Sequence, residues 1–70
     1  MNDFPERVKQ VRKQLEISQE DLAHALGMSF ATVNRWENGK AKPSKLGLRQ
    51  FDAYCERQTR KGKLNPPEKN

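Results

Sequence analysis

The sequence holds a single cysteine, Cys55, and a single histidine, His24. One cysteine excludes an internal disulfide, and neither a cysteine-rich nor a multi-histidine metal site can be assembled from this set. Only 33% of the residues are hydrophobic and 7% aromatic. No apolar run approaches the ~18 residues of a membrane span. The N-terminus also lacks the apolar stretch of a secretory signal. A cytoplasmic protein without metal or cofactor is the expectation. An enzyme is a poor reading, because the sequence offers no carboxylate pair in a cleft, no nucleophile beside a base and no glycine-rich phosphate loop. Seventy residues make one small domain that hides a modest share of its surface. Its excess of Lys and Arg, net charge +5, suits a polyanionic partner such as nucleic acid.

The stretch from Gln19 to Trp36 organises the rest. Leu22 and Leu26 are four apart and stack on one helix face, and Val33 and Trp36 are three apart on another. Between them Gly27 can take positive φ, which ends one helix and turns the chain. Ala23 is small enough for the point where two helices approach most closely. Two short helices around a tight turn, sharing one small core, make a helix-turn-helix.

The phrases Ser18-Gln19-Glu20-Asp21-Leu22-Ala23, Leu26-Gly27-Met28-Ser29 and Trp36-Glu37-Asn38-Gly39, with Val33 and the following Lys40-Ala41-Lys42-Pro43-Ser44, carry a resemblance. Over about residues 6 to 55 the chain resembles the helix-turn-helix domains of phage repressors and Cro proteins, the lambda-repressor-like or XRE type. The resemblance implies an all-α fold of four compact helices, with a fifth as the alternative. Many members carry a fifth helix that dimerises, and this chain offers no convincing candidate for it.

In chain order, Val8, Val11 and Leu15 recur at helical spacing from Asp3 onward, and Phe4 extends that stripe. Asp3 with Glu6 fits a capping box, and Pro5 suits a first turn. The other face, Arg7, Lys9, Arg12 and Lys13, is either solvated or a phosphate contact. Ile17 reads as a plug between helices. Ser18, with Asp21, caps a second helix over Gln19–Leu26 that leaves His24 exposed and inert. Ser29 caps a third helix over about residues 30–37, and Gly39 suits its end. Pro43 and Ser44 open a fourth over about 45–57. Leu48, Phe51 and Cys55 form its core stripe, Cys55 as a small hydrophobe, while Leu46, Gly47 and Tyr54 fall to core or interface. From Gln58 the periodicity stops, and residues 58–70 read as a basic, flexible, disordered tail behind a 1–57 DNA-binding domain. Its basic residues either add nonspecific phosphate affinity or are simply solvated.

On the third helix, Val33 and Trp36 mark the buried side. The opposite side carries Phe30, Ala31, Asn34 and Arg35, the candidates to read bases in a major groove. Arg35 can bond guanine O6 and N7, Asn34 adenine or a phosphate, and Ala31 a thymine methyl. Phe30 fits a thymine methyl or a partner protein. The resemblance places Asn38, Lys40 and Lys42 along the sugar-phosphate backbone, with Gln19 and Ser29 at helix starts as further phosphate contacts. It also pairs Arg12 with Glu37 as a semi-buried structural ion pair.

The expectation is therefore a sequence-specific double-stranded DNA-binding regulator, a repressor by type. It would act as a homodimer on a two-fold symmetric site, since one copy reads too few base pairs for genomic specificity. The alternative is an interaction module, an antitoxin or co-regulator adaptor, whose main partner is a protein.

Overall fold

The computed structural model describes residues 3–65. Four helices follow one another: α1 Phe4–Leu15, α2 Gln19–Leu26, α3 Phe30–Glu37 and α4 Lys45–Arg60. Among the described residues there is no strand, so the expected all-α fold of four helices stands.

Short polar side chains start the last three helices. Ser18 Oγ accepts from the Asp21 N–H at 2.9 Å, and the Asp21 carboxylate accepts from the Ser18 N–H at 3.3 Å, closing the expected capping box. Ser29 Oγ accepts from the Thr32 N–H at 3.2 Å, and Ser44 Oγ from the Gly47 N–H at 3.0 Å. The box expected at Asp3 does not form. Asp3 stands at the N-cap in extended conformation, but its side chain makes no capping bond, and Pro5 in the first turn already removes one orphan N–H.

Two helix ends set the turns. Gly27 closes α2 at φ 70°, a conformation a side chain disfavours. Glu16 closes α1 at φ 58° without being glycine, which costs about 1 kcal/mol. The wrap it makes places the Ile17 N–H on the Arg12 carbonyl at 3.1 Å. It also brings the Ile17 carbonyl to Arg12 Nη1 at 3.1 Å. Ile17 is half-buried against the core, as the plug reading expected.

Each helix gives one face to a single core. Val8 and Val11 come from α1, Leu22, Ala23 and Leu26 from α2, Val33 and Trp36 from α3, and Phe51, Tyr54 and Cys55 from α4. Phe4 extends the α1 stripe, edge-on to Trp36 at 5.3 Å and to Phe51 at 5.5 Å between ring centroids. Edge-to-face rings at that spacing add to what burial alone contributes. The face of α4 runs through Gly47, Phe51, Tyr54 and Cys55. Leu48, expected in this stripe, is 37% exposed, because it sits one helical step to the side of Gly47. Gly47 and Tyr54 thus join the core, and Leu46 is exposed.

The expected tail is corrected over its first part. α4 continues to Arg60, and Gly62 at φ 75° turns the chain so that the Lys63 N–H reaches the Gln58 carbonyl at 2.9 Å. That hook drops Leu64, 7% exposed, into the core. The Asn65 N–H then meets Gln14 Oε1 of α1 at 3.1 Å. The domain boundary expected at residue 57 therefore gives way to ordered chain through Asn65. The rest of the expected tail, 66–70, lies outside the described residues.

Candidate nucleic-acid interface

α3 is eight residues long, and its side chains divide cleanly. Val33, Trp36 and Glu37 face inward, and Phe30, Ala31 and Arg35 face out, with Phe30 51% exposed. The inward set fixes the rotation of the helix about its axis, so the outward set is presented in one register. An exposed aromatic ring at the first position of a short helix does nothing for the core. Arg35 and Ala31 lie one turn apart on the same side, the spacing at which two side chains address one surface.

Asn34 differs from the other three expected readers. It is half-buried, and its amide is engaged on both sides: Nδ2 donates to Gln19 Oε1 at 3.0 Å, and Oδ1 accepts from Asn38 Nδ2 at 3.0 Å. Gln19 in turn donates from Nε2 to Glu37 Oε1 at 3.0 Å. Glu37 also accepts from Arg12 Nε at 2.6 Å and from Arg12 Nη2 at 2.9 Å. The Arg12–Glu37 pair named by the resemblance is thus present, two-pronged, with the carboxylate 3% and the guanidinium side chain 24% exposed. Sequence reasoning found its two ends, but not the amides strung beyond it.

The electrostatics of the pair follow from those contacts. Burial is the largest influence on Glu37 and pushes its pKa up. The hydrogen bonds from Arg12 and Gln19, with the charges of Arg12 and Lys9, outweigh it and hold the carboxyl below the usual carboxylate range. The Glu37 hydrogen bond raises the pKa of Arg12, against a smaller cost of burial. Among the described residues, no buried side-chain nitrogen or oxygen lacks a partner.

The expected phosphate contacts sit around this frame. Asn38, Lys40 and Lys42 are exposed along the segment that follows α3, where the Lys40 N–H closes on the Arg35 carbonyl at 2.9 Å. Ser29 is exposed, with its hydroxyl engaged in the α3 cap and 3.0 Å from Thr32 Oγ1. Gln19 opens α2, where the first backbone N–H groups stand outside the helical ladder. Its side chain is committed to Glu37 and Asn34 as described. His24 is exposed. Among the described residues, no group of three or more His, Cys, Asp or Glu side chains is placed to hold a metal ion. Nor is any helix there long and apolar enough to cross a membrane.

A type II methyltransferase of Lactococcus lactis subsp. cremoris, M1.ScrFI, is 45% identical over 44 residues, covering 59% of this chain. The chain spans only 11% of the length of that relative. No solved structure gives a significant match. The helix-turn-helix family model matches residues 8–50, from the middle of α1 into α4. The chain belongs to the helix-turn-helix family, in its XRE-type, lambda-repressor-like branch of DNA-binding domains.

Proposed function

We propose that this chain is a sequence-specific double-stranded DNA-binding regulator of transcription, a repressor by type, acting in the cytoplasm. The observation that carries the reading is the division of α3. Its buried side is fixed by Val33, Trp36 and Glu37, and its free side presents Arg35, Ala31 and Phe30. An arginine in that position offers two parallel N–H donors to guanine O6 and N7, and Ala31 and Phe30 offer apolar contact to thymine methyls. Phosphate contacts from the starts of α2 and α3, at Gln19 and Ser29, and from Asn38, Lys40 and Lys42 would hold the helix in the major groove. Two copies on a two-fold symmetric site supply the specificity one copy lacks. A similar stretch within a far longer methyltransferase fits a module that binds and leaves chemistry to other domains.

The test is selection of bound sequences from a random duplex pool, followed by two variants. Arg35→Ala should cost about 1–3 kcal/mol and relax preference at one base position. Lys42→Ala should weaken all sequences about equally and flatten the plot of log affinity against log salt by about one unit. An unchanged preferred sequence in Arg35→Ala overturns the assignment of the reading face.

The exposed Phe30 favours a second reading, an antitoxin or co-regulator adaptor whose main partner is a protein. Salt separates the two, since binding through several phosphates weakens steeply as salt rises.

A further inference from the structure

We propose that Asn34 is a positioning residue for DNA binding and not a base reader. It is the middle link of a chain of amides that holds Gln19, at the start of α2, and Asn38, at the end of α3, in one fixed orientation. The inference rests on the DNA-binding reading above and narrows its reading set to Phe30, Ala31 and Arg35.

A side-chain amide has a donating end and an accepting end, and a carboxylate can only accept. Glu37 is ionised and receives two bonds from Arg12, so whatever else meets it must donate. Gln19 therefore turns its NH2 to Glu37, and its oxygen faces Asn34. Asn34 must then turn its NH2 to Gln19, and its oxygen faces Asn38. Asn38 completes the series by donating to that oxygen. Each bond is 3.0 Å long. The direction of all three amides is set by one charge at the Arg12–Glu37 end, and successive bonds in such a chain polarise one another.

Two consequences follow. Reading adenine with both ends of an amide needs a donor and an acceptor turned outward together. In Asn34 one N–H and the oxygen are already engaged between α2 and the end of α3. Meanwhile Gln19 and Asn38, two of the proposed phosphate contacts, each keep a second N–H on an amide that cannot flip without opposing two oxygens. Donors ordered before binding lose less freedom on meeting a phosphate. Asn34 thus ties the start of α2 to the end of α3.

The test uses the full chain, the duplex enriched by selection and an unrelated duplex of equal length. In free protein, Asn34→Ala should shift the side-chain amide resonances of both Gln19 and Asn38 in nitrogen-edited NMR spectra. On DNA it should weaken binding to both duplexes by the same factor, about 3–10-fold, the loss expected when one or two polar bonds go. The preferred sequence should not change. Gln19→Ala should cost less in the Asn34→Ala background than alone, the signature of residues acting as one unit. Asn34→Asp should weaken binding more than Asn34→Ala, because it places an acceptor opposite Gln19 Oε1 and adds negative charge.

A change of preferred base in Asn34→Ala, with the Gln19 and Asn38 resonances in place, would make Asn34 a reader and overturn the proposal. Wild-type affinity and preference in Asn34→Ala would overturn it as well. If the wild-type chain binds no duplex, the DNA-binding reading fails and takes this role with it. The free-protein resonances then still show whether the amide chain exists, so the two failures are distinguishable.

Discussion

Replacing Arg12 with methionine keeps much of the side-chain length and removes the charge that neutralises Glu37. Three bonds go: two to the carboxylate at 2.6 and 2.9 Å, and one to the Ile17 carbonyl at 3.1 Å. The carboxylate left behind is 3% exposed and keeps only the Gln19 donor. Removing one partner of a fully buried pair costs about 3–5 kcal/mol. Here the Arg12 side chain is 24% exposed, so water can reach the vacated place, and we expect about 2–3 kcal/mol. Total stability at this length is about 4–10 kcal/mol, so the variant loses a large part of it. Trp36, the lone tryptophan and 3% exposed, reports unfolding in urea by fluorescence.

The pH dependence gives the prediction its second edge. In the wild type the Glu37 pKa is depressed in the folded state. Its contribution is therefore present above the unfolded value of about 4.3 and is lost as pH falls through the folded value. In Arg12→Met burial, the largest influence on Glu37, is opposed only by the Gln19 bond and the Lys9 charge, and we expect it to carry the folded pKa above the unfolded one. The penalty is then greatest at neutral pH and shrinks as pH falls toward about 4.3, where the folded carboxyl takes up a proton. The gap between the two proteins should narrow on acidification. Adding Glu37→Gln to Arg12→Met should recover part of the loss at neutral pH and remove its pH dependence. A cost below about 0.5 kcal/mol, or a gap that stays constant from about pH 7 to about pH 5, would refute the view that this pair holds α1 to α3.

Two further outcomes test the ordering of the molecule. Leu64→Ala should cost about 2–3 kcal/mol, the lower part of the range for a buried leucine, since Leu64 sits at the rim of the core. An unchanged urea midpoint would mean that the Gly62–Leu64 hook adds nothing to the fold. Cys55 is a buried thiol whose pKa burial pushes up to about 11, with Arg7 lowering it and Asp52 raising it by smaller amounts. At about pH 8 it should react with a disulfide reagent far more slowly in the native chain than in denaturant, where its pKa returns to about 8.5. Equal rates would place the thiol outside the core.

Much of the fold is legible in the sequence because its signals are local. Ser18 and Ser29, each capping the N–H three residues on, Gly27, and the Leu22/Leu26 and Val33/Trp36 pairs place α2 and α3 at the bounds observed. The end of α4 was not legible, because Gln58, Thr59 and Arg60 add no large apolar side chain to its stripe. The missed signal is Gly62 followed two residues later by Leu64, a glycine turn that returns one hydrophobe to the core. Leu48 misled for a geometric reason. It lies at helical spacing from Phe51 and Cys55, but the close approach of α4 centres on Gly47, beside Trp36 and Met28. Of the amide chain, only the Asn34–Asn38 spacing of four is visible in sequence. The Gln19–Asn34 and Gln19–Glu37 bonds are tertiary, and no periodicity announces them.

This arrangement bears on how such a chain could change its target. α3 is too short to be stable alone, and Phe30, Thr32, Val33, Asn34 and Trp36 are mediocre helix formers. Its geometry is imposed from outside, by the core through Val33 and Trp36 and by polar bonds through Glu37 and Asn34. Phe30, Ala31 and Arg35 take no part in holding the helix. Substitutions there should leave stability within about 0.5 kcal/mol while altering the sequence read. Substitutions at Asn34, Glu37 or Gln19 should alter affinity or stability and leave preference alone. The separation of the two kinds of residue along eight positions would let recognition change without refolding the frame that presents it.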